Sequence, residues 1–367
     1  PTPGIARLTQ EFEADLGVVI SASHNRFFDN GIKFFDGSGS KLSDEIEQEI
    51  EQRLQEPAIT LESQSLGSAK RIDTARIRYQ EFCAASLPEG VDLADLKIVF
   101  DGANGAGYKV GPRTLANLGA EVIPIGCSPN GRNINDGCGS THPELLQLTV
   151  PAVKAHVGIA LDGDGDRVVM ADEDGALVDG DQLLFVLATA RKEQGVLQGP
   201  VVGTVMSNLG LEHALRDRDI EFQRAAVGDR YVLELLRNSG GMLGGETSGH
   251  MLMLDKTTTG DGLISALQVL AVMKATGKRL SELVAGMPRY PQKMMNVRME
   301  QRLDPGESAQ IQDAVAVAEG ELADTGRVVL RASGTEPVIR VMVEGEDEEQ
   351  VDSLAARLAS VVAEAAT

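Results

Sequence analysis

Three times along the chain the same order of residues recurs: a loop of small polar residues, a short strand-like run, a polar turn, a helix start and a helical stretch. Ser21-Ala22-Ser23-His24-Asn25 leads to Lys33-Phe34-Phe35-Asp36-Gly37 and then to Lys41-Leu42-Ser43-Asp44-Glu45. Asp162-Gly163-Asp164-Gly165-Asp166 leads to Arg167-Val168-Val169-Met170 and then to Leu177-Val178-Asp179-Gly180-Asp181. Gly245-Glu246-Thr247-Ser248-Gly249-His250 leads to Met251-Leu252-Met253-Leu254 and then to Thr259-Gly260-Asp261-Gly262. A strand that feeds an amphipathic helix buries one face against it, so each copy is one unit of an α/β layer. Internal repetition of such a unit predicts several similar domains. Three units that each present one loop predict a composite site in a central cleft.

Apolar runs at Gly17-Val18-Val19-Ile20, Lys97-Ile98-Val99-Phe100, Val157 to Leu161 and Pro200 to Gly203 read as further buried strands. Each ends in glycines and small polar residues, where α/β folds hold their ligands. The tail differs: strands around Asn296–Met299, Arg327–Leu330 and Val338–Val343, with helices at Ser308–Glu319 and from about Asp347, read as a smaller α+β domain. The expected architecture is therefore α/β, three similar domains with mixed sheets plus that smaller domain. Their limits are 1–77, 78–177, 178–290 and 291–367, with a linker around Pro288–Pro291.

A net charge of −21 argues against non-specific binding to nucleic acid or to an anionic membrane surface. Any anion site must then be a local cluster of cations and backbone N–H groups within an acidic body. Cys83, Cys127 and Cys138 form no C-x-x-C pair and leave one unpaired, which points to a reducing, cytoplasmic setting. No apolar run is long enough for a membrane span. The chain opens at Pro1 and its first residues run directly into a strand pattern, as in a chain lacking its beginning.

Asp162, Asp164 and Asp166 alternate with glycines after an apolar strand, so all three carboxylates can turn to one point. At that distance they repel one another unless a cation lies between them, and oxygen ligands suit Mg²⁺ or Ca²⁺. An EF-hand is excluded because Arg167 occupies the position that needs glycine. A phosphatase with Asp162 as nucleophile stays open. Ser23 ends a buried strand and can project into a cleft. No G-x-S-x-G elbow surrounds it, and on extended chain the neighbouring His24 points to the opposite face. Lys33, between apolar neighbours, is either a surface residue or a partly buried amine with a lowered pKa suited to proton transfer. Glu246 and Ser248, two residues apart, can together grip adjacent sugar hydroxyls. Arg331-Ala332-Ser333-Gly334-Thr335-Glu336-Pro337, with Arg340, combines two guanidinium groups, hydroxyls and a glycine into an anion cradle.

These four loops, in this order, resemble the α-D-phosphohexomutase superfamily from Pro1 to the last helix. Ile20–Asn25, Asp29–Phe35, Asn133–His142 and Val227–Val232 point, within it, to the bacterial phosphoglucosamine mutases. The resemblance implies Ser23 as a phosphoserine, and Mg²⁺, one per chain, held by Asp162, Asp164, Asp166 and the Ser23 phosphoryl group. It implies Lys33 as general acid/base, with His24 and Arg167 beside the transferring group. Glu246 and Ser248, with Arg230, would bind the sugar. Arg331, Ser333, Gly334, Thr335 and Arg340 would hold the phosphate that stays. The implied reaction interconverts the 6- and 1-phosphates of glucosamine, with a hexose 1,6-bisphosphate as activator. The implied partner is a small phosphosugar, without nucleic acid or membrane, and the assembly considered is a homodimer. Phosphoglucomutase or phosphomannomutase activity, or non-catalytic phosphosugar binding, are the alternatives. Two departures stand out. Arg26 follows the Ser-His-Asn triplet where members have Pro, and a Gly-Thr-Asp-Gly-Ile-Arg-like opening segment is absent, which makes an N-terminally incomplete first domain the expectation.

Overall fold

The structure, a computed structural model, describes residues 1–299, 304–332 and 338–365. The chain does not open on a strand. Thr2–Glu11 is a helix, with Pro3 in its first turn, where a missing N–H costs nothing. It buries Ala6, Leu8 and Thr9 and packs on an antiparallel hairpin, Leu16–Ser21 with Gly31–Asp36. In that hairpin Val19 faces Lys33 and Ser21 faces Gly31, so the serine loop and Lys33 belong to one end of one hairpin.

The second sheet has five strands in the order Glu121–Ile125, Lys97–Asp101, Val157–Leu161, Val168–Ala171 and Leu177–Val178. Its first three strands run parallel and the remainder antiparallel. Val157–Leu161 and Val168–Ala171 are buried at every residue, as strands covered on both faces must be. Helix Glu144–Ala152 covers this sheet, and so does helix Gly262–Thr276, which comes from the third unit. Second and third units therefore share one apolar core, which joins Phe100, Ile159 and Met170 to Val201, Leu243 and Leu267.

The third sheet runs Met251–Met253, Leu243–Gly245, Val201–Thr204, Phe222–Ala225, with only the first of these antiparallel to its neighbour. Beside it helix Gly180–Glu193 starts from Asp179, whose side chain and that of Gln182 close a reciprocal cap. Thus the first of the three α/β units holds a two-stranded antiparallel sheet and the other two hold mixed sheets.

The tail is a three-stranded antiparallel sheet, Gln292–Arg298, Val338–Gly345 and Gly326–Ala332, under helices Ala309–Leu322 and Glu348–Ala365. It has its own core around Ile311, Ile339, Val341 and Leu358. Fully buried Glu344 ties it to the third unit, accepting from the Leu209 N–H (2.9 Å) and from Arg327 Nε (2.7 Å). Arg327 also donates to the Val205 (2.9 Å) and Ser207 (2.5 Å) carbonyls. In the expected linker, both backbone groups of Tyr290 pair with the Asn208 side chain. Among the described residues, no helix is long and apolar enough to cross a membrane.

Candidate active site

The acidic loop closes the hairpin between Val157–Leu161 and Val168–Ala171. Asp162, Asp164 and Asp166 are at most 3% exposed, and ligand oxygens of all three lie within 4.8 Å of one another. Asp162 Oδ1 accepts the N–H groups of Gly165 (3.0 Å) and Arg167 (3.1 Å). Asp164 Oδ2 accepts from Thr2 Oγ1 (2.6 Å) and Lys33 Nζ (2.5 Å), and Asp166 Oδ2 lies 3.2 Å from the same amine. One buried oxygen on each carboxylate, Asp162 Oδ2, Asp164 Oδ1 and Asp166 Oδ1, has no hydrogen-bond partner. Buried oxygens are rarely left so. Three of them in one cluster fit a hard cation, so the donor set suits Mg²⁺.

The charges agree. Burial, then the charges of Asp166 and Asp164, push the Asp162 carboxyl well up. Burial would also raise Asp166, but His250 and then Lys33 and Lys41 hold it well below the usual carboxylate range. Lys33 does not have the lowered pKa that its apolar neighbours allowed. Burial alone would lower it, but the Asp166 and Asp164 carboxylates outweigh burial and hold the ammonium form.

Ser23 lies directly on this loop. A Cβ on Gly163 would stand 2.5 Å from the Ser23 carbonyl oxygen, so only glycine lets the two loops stack. Ser23 has a left-handed backbone (φ 51°), not the extended chain that set it apart from His24, and its N–H donates to Ser21 Oγ (2.8 Å). The exposed imidazole of His24 has a lowered pKa, first through partial desolvation and then through Arg167. Arg26 is ion-paired with Asp136 (2.9 Å).

The loop that carries Glu246 and Ser248 meets the acidic loop through an isolated backbone bridge between His250 and Arg167. Glu246 Oε1 accepts the Gly228 N–H (2.9 Å), Oε2 lies 3.4 Å from Ser248 Oγ, and Ser248 is exposed. The loop rests on the start of helix Gly180–Glu193. Thr247 Oγ1 donates to Asp181 (2.8 Å), and the Gly180 N–H donates to the Thr247 carbonyl (3.1 Å). Arg230 reaches back to the first unit, to Asp44, to Glu47 (3.2 Å) and to the Leu42 carbonyl (3.1 Å). It thus joins two units.

Arg331 and Arg340 are direct cross-strand partners in the C-terminal sheet. Like charges so placed repel, and an anion between them relieves the repulsion. Ser333, Gly334 and Thr335 lie outside the described residues.

The fold thus brings Ser23, Lys33 and the three aspartates together, with His24 and Arg167 in electrostatic range. Residues with no role in the sequence reading also reach the site. Thr2 holds Asp164. Buried His250 lies between Asp166 (3.7 Å) and Asp229 (3.3 Å), and Asp229 is paired with Lys41. Asn135 donates to the serine loop. His250, Asn135, Asp229 and Lys41 all lie in segments that stand out in the sequence, whereas Thr2 does not, and what each of them touches is decided only by the fold.

Family models described as phosphoglucomutase/phosphomannomutase match in four blocks: alpha/beta/alpha domain I at residues 1–59, domain II at 78–175, domain III at 179–290 and the C-terminal domain at 294–361. The phosphoglucosamine mutase of Methylobacillus flagellatus is 56% identical over 362 residues, 99% of this chain and 80% of that protein. The phosphoglucosamine mutase of Nitrosococcus oceani is 54% identical over 363 residues, with the same coverage. Among solved structures, a phosphoglucomutase/phosphomannomutase family protein of Burkholderia thailandensis is similar, with a TM-score of 0.76 at 24% identity, covering 95% of this chain and 77% of that one. Aspergillus fumigatus N-acetylphosphoglucosamine mutase, in complex with GlcNAc-6P and magnesium, is similar in fold, with a TM-score of 0.72 at 19% identity over 100% of this chain and 93% of that one. The chain belongs to the phosphoglucomutase/phosphomannomutase family and, within it, to the phosphoglucosamine mutases.

Proposed function

We propose that this chain interconverts glucosamine 6-phosphate and glucosamine 1-phosphate by means of a phosphorylated Ser23. The observation that carries the reading is the stacking of the Ser23 loop on three buried carboxylates, each with one unpartnered oxygen. Asp162, Asp164 and Asp166, with the phosphorylated Ser23, would hold one Mg²⁺. When bound, the cation neutralises charge on the transferring phosphoryl group.

Ser23 gives its phosphoryl group to the free hydroxyl of the substrate, which forms a glucosamine 1,6-bisphosphate. The intermediate turns over within the cleft, and its other phosphate returns to Ser23. Atoms balance without any co-substrate, and a hexose 1,6-bisphosphate restores a serine that has lost its phosphate. Lys33, held as ammonium at the triad, takes the general acid/base role by giving a proton to the departing oxygen and recovering it on the return transfer, and Arg167 adds charge, with the His24 imidazole beside it, near the transferring group. Glu246 and Ser248 grip sugar hydroxyls, with Arg230 at the margin of that site. Arg331 and Arg340, with Ser333, Gly334 and Thr335, hold the phosphate that stays. The domain division proposed is 1–77, 78–177, 178–290 and 291–367, one loop from each.

Phosphorus NMR of the purified protein with Mg²⁺ and a trace of bisphosphate tests the substrate. The 6-phosphates of glucosamine, glucose and mannose are supplied in turn. Glucosamine 6-phosphate is expected to give the highest kcat/KM. A higher value for glucose or mannose 6-phosphate would reassign the substrate.

A further inference from the structure

The segment Asn133–His142 stands out in the sequence, yet none of the roles assigned above uses it. In the fold it is pinned to the carboxyl ends of the central strands of the five-stranded sheet. Buried Asp101 accepts the N–H groups of Ala103 (2.9 Å) and Gly139 (2.8 Å). The Asn135 N–H donates to the Ala103 carbonyl and the Ser140 N–H to the Leu161 carbonyl, both at 2.9 Å. So anchored, the segment presents the Asn135 side chain to a loop more than a hundred residues earlier. Asn135 Nδ2 donates to the carbonyls of Ser23 (2.8 Å) and Asn25 (2.7 Å).

We infer that Asn135 is the positioning residue for the phosphoryl-carrying serine. This rests on the assignment of Ser23 to that role. Both partners of Nδ2 are carbonyl oxygens, which only accept, so the orientation of the amide is fixed and both its hydrogens are used. The two bonds set the Ser23–His24 and Asn25–Arg26 peptide planes, on either side of the His24–Asn25 pair. They hold Ser23 in a left-handed conformation that a residue with a side chain seldom adopts unaided. Asn135 is itself 2% exposed, so its amide hydrogens have no bulk water to turn to in place of these carbonyls. The neighbouring Arg26–Asp136 ion pair is exposed and adds little. One amide thus determines where Ser23 Oγ stands relative to the three aspartates.

The test compares N135D, N135A and N133A with the unaltered chain. Asn133 belongs to the same segment, but its side chain bonds only within its own loop, to the Ser128 carbonyl and the Asn130 N–H. The readouts are the rate at which intact mass gains one phosphoryl group from a hexose 1,6-bisphosphate with Mg²⁺, and kcat and KM for glucosamine 6-phosphate. An ionised aspartate at 135 offers no hydrogen and faces two carbonyls. N135D should slow phosphoryl uptake and kcat by at least about tenfold, approaching about a hundredfold for a displacement near 1 Å. KM should stay within about twofold, as should every parameter of N133A. N135A, which buries no new charge, carries the comparison if N135D does not fold. Uptake at the parent rate in the Asn135 variants overturns the inference. So does a loss that N133A shares or that falls equally on KM. If the unaltered chain gains no phosphate, the Ser23 assignment fails first and the inference falls with it.

Discussion

Replacing Gly180 by alanine sets helix propensity against site geometry. Alanine is the better helix former by about 1 kcal/mol in a helix interior, so propensity alone predicts a stabilised Gly180–Glu193 helix. In the fold, however, a Cβ at 180 would lie 2.0 Å from the Glu246 carbonyl oxygen and 2.7 Å from the Gly249 nitrogen. Real Cβ contacts essentially never fall below 3.0 Å, so the two must separate by about 1 Å. The helix cannot supply that movement, because Leu183, Leu184, Phe185 and Leu187 fix it in the main core. The loop between Glu246 and Gly249 yields instead and takes Ser248 with it. A displacement near 1 Å in substrate-holding groups lowers kcat/KM by about a hundredfold, equivalent to about 2.7 kcal/mol. Steady-state kinetics with glucosamine 6-phosphate measure this, with Mg²⁺ binding as a control that should not move. A kcat/KM within about threefold of the parent, or a raised unfolding temperature, would refute the reasoning.

Mg²⁺ should raise the unfolding temperature, with about 2.7 kcal/mol of stabilisation at a hundredfold excess over its Kd. D164N should lose that effect, and an equal shift in D164N would put the cation elsewhere. Burial raises the Asp181 pKa from 3.8 to about 6, so the folded chain holds a proton that the unfolded chain releases, and stability falls as pH rises through that window. The corresponding magnitude is about 3 kcal/mol. Chemical denaturation of D181N against the parent between pH 4 and pH 7 should show the gap moving in the variant's favour with rising pH, and a constant gap would contradict it. R327A leaves the buried Glu344 carboxylate without its cation, at a cost of about 3–5 kcal/mol. Faster hydrogen exchange in Gly326–Ala332 and Val338–Gly345 should report the loosened C-terminal domain, and unchanged exchange there would remove Arg327 from its docking.

What could be read in the sequence was local. The Asp-Gly alternation in 162–166, the strand before it and the helix starts at Ser43 and Asp179 are patterns a few residues long, and the fold reproduces them. What could not be read depends on contacts across the chain. Lys33 was open to a lowered pKa because its sequence neighbours are apolar, yet its carboxylate partners lie 131 and 133 residues away. Asn135 looks like any loop asparagine until the sheet folds it under Ser23. Arg230, which the resemblance implies as a sugar contact, also pairs with Asp44 and Glu47 of the first unit, contacts that no local pattern announces. The opening helix stands where the first residues suggest a strand pattern, and Pro3 fits it because the first turn tolerates proline.

The central claim, that Ser23 carries the phosphoryl group, is tested most directly by the intact mass of the purified chain before and after incubation with a hexose 1,6-bisphosphate and Mg²⁺, with S23A alongside. The account predicts a gain of one phosphoryl group in the parent and none in S23A. An equal gain in S23A would contradict it and return Asp162 to consideration as the nucleophile.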